Sequence, residues 1–242
     1  MKALKLTVAH LYPDLLNLYG DSGNIAVFKR RAVQRGIELQ VTEYEKDDII
    51  NLENIDIIYI GGGSDKEQKF VCEKLSEIKQ ELKDYAEKGK CILAVCSGYE
   101  ILGKYYKTET ETIAGLEILN ITTEYSKNRL IDNVVAECDL TGTTLVGFEN
   151  HSGRVNIQNH TPLAKILTGN GNNGKDQTEG VVYKNVIGTY IHGPLLPKNP
   201  ALADFIIKSA IKQKYNEDIE LAPIDDTLEI QAHEYCVKRF SK

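Results

Sequence analysis

A mainly parallel α/β sheet flanked by helices, with additional strands in the second half, is the fold class this sequence predicts. Two observations lead to it. In the first hundred residues short apolar runs alternate with amphipathic stretches, the order expected of βαβ units. Two of those runs stop abruptly at turn-forming residues, at Gly61-Gly62-Gly63-Ser64-Asp65 and at Cys96-Ser97-Gly98.

The elements follow in order. Residues 4–10 read as a strand, and residues 24–35 as a helix with Asn24 as cap, Ile25, Val27, Phe28 and Ala32 as apolar face, and Gly36 as stop. Residues 37–44 alternate as a strand, residues 55–60 form a buried strand, and a long charged helix is predicted over 66–88. The strand 91–95 leads into an elbow helix from Ser97 to about Lys104. From Gly115 onward strands dominate, near 134–137, 144–148, 164–167, 180–183 and 186–191, before helices return at 201–215 and in the tail. No repeat or linker divides the chain, so a single domain over residues 1–242 is expected, its tail from about residue 217 available to a partner.

Composition narrows the function classes. With 29 basic and 35 acidic residues among 242, the formal charge is −6 and the longest basic run is Lys29-Arg30-Arg31, a poor match to nucleic acid. The first residues mix apolar positions with Lys5, Thr7 and His10, so neither a secretion signal nor a membrane span is read there, and a reducing, cytoplasmic setting is expected. Five cysteines without a C-x-x-C pair give neither a disulfide framework nor a zinc site.

The chemistry concentrates at Cys96. A buried strand that ends on a nucleophile and turns through Gly98 into a helix holds the thiol at a sharp elbow, facing helix N–H groups that favour a thiolate. A buried, inert thiol such as Cys91 is the alternative. Gly61–Gly63 after another strand let backbone N–H groups point inward, as an oxyanion hole requires. A dinucleotide loop fails here because position 66 is Lys, and Gly169-Asn170-Gly171-Asn172-Asn173-Gly174-Lys175-Asp176 fails as a phosphate loop because Asp176 stands where Ser or Thr must hold magnesium. It reads as a polar hairpin turn. Of five histidines, His192 ends a strand and is followed by Gly193-Pro194, a setting suited to a base for Cys96; His151 in Glu149-Asn150-His151-Ser152 is its rival.

The combination Val95-Cys96-Ser97-Gly98-Tyr99, the triple glycine, and Tyr190-Ile191-His192-Gly193-Pro194 resembles class I glutamine amidotransferases of the cobyric acid synthase (CobB/CobQ) type. Tyr12-Pro13-Asp14-Leu15-Leu16-Asn17-Leu18-Tyr19-Gly20-Asp21-Ser22-Gly23-Asn24 and Gly147-Phe148-Glu149-Asn150-His151-Ser152-Gly153-Arg154 resemble those of the family's glutaminase subunits that serve amidation of lipid II. The resemblance implies that Cys96 attacks L-glutamine with His192 as acid and base. Backbone donors at Gly62, Gly63 and Ser97 would hold the oxyanion, and Arg129 the substrate α-carboxylate; an exposed, merely solvated Arg129 is the alternative. Many relatives carry a Glu two residues after the His, but Pro194 stands there, so the orienting acid is expected from a partner, with Glu149 as the in-chain candidate. The chain offers no phosphate loop of its own. The resemblance therefore implies a Mur ligase-like subunit of the MurT type, carrying ATP and Mg, that amidates lipid II at the inner membrane face. A glutaminase serving a corrin-amidating synthetase, and a non-catalytic binding module on the same scaffold, are the alternatives.

Overall fold

The computed structural model describes residues 4–241. Its centre is a six-stranded sheet in the order β11-β12-β4-β3-β1-β2, with β1 Lys5–Leu11, β2 Glu38–Tyr44, β3 Ile57–Ile60, β4 Cys91–Val95, β11 Val181–Tyr183 and β12 Val186–Thr189. All pairings are parallel except β11 with β12. Side-chain alternation explains why both faces are covered. Ile58 and Ile60 of β3 meet Val71 and Leu75 of α2 (Asp65–Ser76) and Leu82 of α3 (Lys79–Glu87), while Ile57 and Tyr59 face Ile25 and Phe28 of α1 (Ser22–Gln34) and Ile206 of α5 (Pro200–Tyr215).

A second sheet, absent from a plain βαβ scheme, is built from strands between the α4 elbow helix (Ser97–Ile101) and Glu179, after which β11 and β12 return the chain to the central sheet. Its order is β10-β9-β7-β5-β6, and β8 pairs the other edge of β7. The strands are β5 Tyr105–Lys107, β6 Thr112–Ala114, β7 Thr122–Cys138, β8 Thr143–Asn156, β9 Ala164–Thr168 and β10 Thr178–Glu179. The β7–β8 register shifts between Tyr125 and Leu130: Tyr125 pairs Gly153 and Leu130 pairs His151, so residues 126–129 bulge outward opposite Ser152 alone. Such a bulge re-aims side chains. Here it carries Arg129.

Several expectations change. The 66–88 helix is two helices, α2 and α3, divided at Glu77 and Ile78 without a Gly or Pro to mark the break. The strands near 134–137 and 144–148 are the ends of the much longer β7 and β8. The elbow helix stops at Ile101, because Gly103 and Lys104 turn toward Ile121. Asp21, not Asn24, caps α1; Asn24 donates to Tyr59 Oη (2.9 Å) and accepts from the Leu196 amide (2.8 Å). The final helix, α6 (Thr227–Phe240), buries no residue and is held by Arg31–Asp226, Arg30–Glu229 and Thr144–His233 contacts.

Candidate active site

Cys96 occupies a backbone conformation (φ 54°, ψ −114°) that residues with a Cβ seldom adopt. Such strain costs on the order of 1–3 kcal/mol and needs a firm surround. The surround is β4, every residue of which is buried, together with a hydrogen bond from the Cys96 amide to Thr189 O (2.8 Å) at the end of β12. Gly98 makes the turn feasible: a Cβ there would lie 2.7 Å from the carbonyl oxygens of Ile60 and Gly61. The thiol is partly exposed, whereas Cys91 is buried and its thiol is pushed up to about 12 by desolvation and then by Asp56.

His192 is fully buried just beyond β12. Its main chain is clamped to Phe148 of β8 by reciprocal hydrogen bonds of 2.7 and 3.3 Å, and the Tyr19 ring lies edge-on to it at 4.6 Å. His192, Cys96 and Asp21 converge over Gly62. A Cβ on Gly62 would stand 3.1 Å from Cys96 Cβ and 3.3 Å from both His192 Cε1 and Asp21 Oδ2. The absent side chain is what lets the three approach.

Asp21 is the residue that sequence reasoning missed. Fully buried, it sets Oδ1 at 3.9 Å from His192 Nδ1, an ion-pair separation, while Oδ2 accepts the Gly62 amide at 2.9 Å. Burial works against a charged His192 ring, but the neighbouring Cys96 charge and Asp21 outweigh it and leave the group pushed up to about 10. The arrangement sets a protonated imidazole beside the Cys96 side chain with a carboxylate behind it. Pro194, two residues after His192, serves in packing. A Cβ on Gly23 would come within 2.5 Å of its ring, so Gly23 and Pro194 seat the start of α1, and with it Asp21, against the His192 loop. The Gly-Asp-Ser-Gly stretch between a strand and a helix was the available signal.

The remaining candidates divide. Cys96, Ser97, Gly63, Arg129 and His151 line one pocket together with Gln68, Glu100, Tyr125, Asn150 and Ser152. Arg129 reaches it from the bulge, held by bonds to Asn150 Oδ1 (2.8 Å), Asn150 O (3.0 Å) and Ser152 Oγ (2.8 Å). His151 stacks on Tyr190 at 3.5 Å and shares a 2.9 Å hydrogen bond through Nδ1 with Gly153 O. Glu149 is committed elsewhere: it accepts from the Asn170 amide and side chain (2.6 and 2.8 Å) and the Gly171 amide (2.8 Å), fastening the polar turn seen in the sequence. It is therefore a structural carboxylate and not the acid behind His192. The Gly62 and Gly63 amides are also engaged, with Asp21 Oδ2 and with Ser97 Oγ (2.7 Å). Behind Ser97, Glu100 accepts from Tyr190 Oη (2.6 Å) and Gln68 Nε2 (2.8 Å), and burial pushes its carboxyl up. Among the described residues no cluster of His, Cys, Asp and Glu is arranged to hold a metal ion, and no helix is long and apolar enough to cross a membrane.

Comparison with known proteins places these residues in context. The CobB/CobQ-like glutamine amidotransferase domain matches residues 7–200. The chain is 42% identical over 239 residues to the lipid II isoglutaminyl synthase (glutamine-hydrolyzing) subunit GatD of Staphylococcus aureus, covering 98% of this chain and 97% of that one. It is 37% identical to the subunit of the same name from Streptococcus pneumoniae, covering 96% and 90%. A cobyric acid synthase of Clostridium botulinum is 28% identical, over 81% of this chain but 44% of its own length. In fold, the glutaminase domain of Trypanosoma brucei CTPS, solved with bound acivicin, superposes with a TM-score of 0.54 at 10% identity, covering 90% of this chain and 96% of that domain. A crystal structure of a glutamine amidotransferase superposes at 0.55 with 17% identity, covering 84% and 98%.

Proposed function

We propose, since the chain belongs to the family of CobB/CobQ-like glutamine amidotransferases, that it is the glutaminase subunit of a lipid II isoglutaminyl synthase. It is a glutamine-hydrolysing enzyme, and the reading concerns whom it serves. The observation that carries this reading is the match over 97% of the Staphylococcus aureus subunit, against 44% of a cobyric acid synthase, which is why the corrin-amidating alternative ranks second. The binding-module alternative has no use for Cys96, His192 and Asp21 gathered over one glycine.

In the proposed reaction the Cys96 thiolate attacks the side-chain amide carbon of L-glutamine, and the carbonyl electrons move onto oxygen. Collapse of the tetrahedral adduct forms the thioester as the His192 imidazolium gives its proton to the departing nitrogen, releasing ammonia. His192, now neutral, takes a proton from water; the hydroxide cleaves the thioester, glutamate leaves, and the ion pair is restored. Asp21 holds the ring orientation and stabilises its charge, the duty assigned to the acid of such triads. Arg129, its guanidinium prepositioned by Asn150 and Ser152, pairs with the α-carboxylate.

Ammonia then passes to an ATP- and Mg-dependent, Mur ligase-like synthetase of the MurT type, which converts the D-glutamate of lipid II to D-isoglutamine at the inner face of the membrane. Helix α6, with Leu228 and Tyr235 exposed, belongs to the surface we assign to that subunit. The test is co-purification with the synthetase and assay with glutamine, ATP, Mg and lipid II. Cys96→Ala and His192→Ala are expected to abolish glutamine-dependent amidation and spare amidation from free ammonia. Glutamine-dependent activity surviving in Cys96→Ala would remove the nucleophile assignment.

A further inference from the structure

The two glycine amides expected to bind the oxyanion are already spent inside the protein. Gly62 N–H donates to Asp21 Oδ2 at 2.9 Å, and that same carboxylate faces His192, so releasing the amide would disturb the acid–base pair. Gly63 N–H donates to Ser97 Oγ at 2.7 Å. Ser97 directly follows the nucleophile, is 3% exposed, and lines the pocket beside Cys96. Among the described residues its hydroxyl finds no acceptor for its own proton. A buried hydroxyl has one proton and two lone pairs; here a lone pair is filled and the proton is unspent.

We propose that the Ser97 hydroxyl is an oxyanion donor, a catalytic side chain rather than a mere provider of backbone. The Gly63 amide fixes Oγ in place and polarises it. The O–H then points to the oxygen on which charge develops when the thiolate adds to the amide, and the Ser97 N–H supplies the companion donor. As the first residue of its helix, Ser97 has no intrahelical acceptor for that amide. A donor held in advance by a second hydrogen bond needs no reorganisation during the reaction, which is where such groups derive their effect. No bond to Ser97 forms or breaks; the thioester forms on Cys96 and ammonia leaves with the His192 proton as before. The assignment rests on the glutaminase reading.

The test compares Ser97→Ala and Ser97→Thr with wild type in glutamine hydrolysis by the full chain with its synthetase partner. Loss of one oxyanion donor lowers kcat by roughly 10²–10³-fold, so Ser97→Ala is expected to fall in that range with KM little changed, and Ser97→Thr, which keeps the hydroxyl, to stay within about tenfold. Alkylation of Cys96 by iodoacetamide proceeds by displacement without an oxyanion. Its rate and pH profile should be the same in Ser97→Ala as in wild type. A Ser97→Ala kcat within about threefold of wild type overturns the assignment, as does a parallel fall in alkylation, which would mark a structural role. Wild type unable to hydrolyse glutamine overturns the glutaminase reading and this assignment together.

Discussion

Replacing Asp21 by Asn removes one charge while keeping the shape of the site. The Asn carbonyl can still accept the Gly62 amide, so the turn beneath Cys96 should hold. What disappears is the field at His192. A full charge 3.9 Å from Nδ1 interacts by about 4 kcal/mol at an effective dielectric near 20, worth roughly a thousandfold if all of it is lost from the imidazolium–thiolate pair. Remaining attraction from Cys96 returns part of this, so a decrease of about 10²–10³-fold in kcat/KM for glutamine is expected. The pH profile offers a second, independent reading. His192 is pushed up to about 10, so its proton stays on as pH rises through the ordinary imidazole range and is lost only near 10. Activity and the stability linked to this ionisation are both lost there: the stabilisation is full below about 6.5 and vanishes as pH climbs through the folded value. In Asp21→Asn the alkaline limb should move down by about one to three pH units, since each unit corresponds to about 1.4 kcal/mol. Glutamate release by the isolated chain and the pH dependence of Cys96 alkylation measure both quantities. A variant within about threefold of wild type, with its alkaline limb unmoved, would refute the role given to Asp21 and restore a partner-supplied acid.

Two substitutions test the pocket from other sides. Arg129→Lys keeps the charge but loses the planar fork that three bonds from Arg129 to Asn150 and Ser152 hold in place; KM for glutamine should rise by about tenfold or more with kcat nearly preserved, as steady-state kinetics would show. Gly153→Ala would drive a methyl group into Glu100 Oε1 and Tyr190 Oη; breaking that buried hydrogen bond should destabilise the fold by about 1–3 kcal/mol, seen in urea as a lower midpoint at unchanged slope.

The elbow and the strand-end histidine were legible because each is written in contiguous residues: an apolar run, then Cys96 and Gly98; another run, then His192 and Gly193. Asp21 was not, because its role is created by the approach of α1 to the His192 loop, which Gly23 and Pro194 permit from opposite ends of the chain. The same blindness made Glu149 attractive. It stands close to His151 in sequence and in space, yet its lone pairs are filled by the turn at Asn170 and Gly171, a partnership no local pattern announces. Arg129 came from family resemblance alone; the bulge that aims it is a register shift between two long strands, invisible without their pairing. The break between α2 and α3 escaped notice because Glu77 and Ile78 are ordinary helix residues.

Asp21, Cys96 and His192, the side chains gathered over Gly62, leave the central sheet after β1, β4 and β12, and β3 lies between the first two, so that the glycine floor exists. During synthesis the chain therefore exposes its thiol long before its base has been made. A nascent or truncated product ending ahead of β12 holds Cys96 without a proton acceptor, and one whose sheet has not closed holds all the parts in the wrong places. On the proposed mechanism, glutamine turnover therefore requires that β12, the last parallel strand to be made, has docked beside β4.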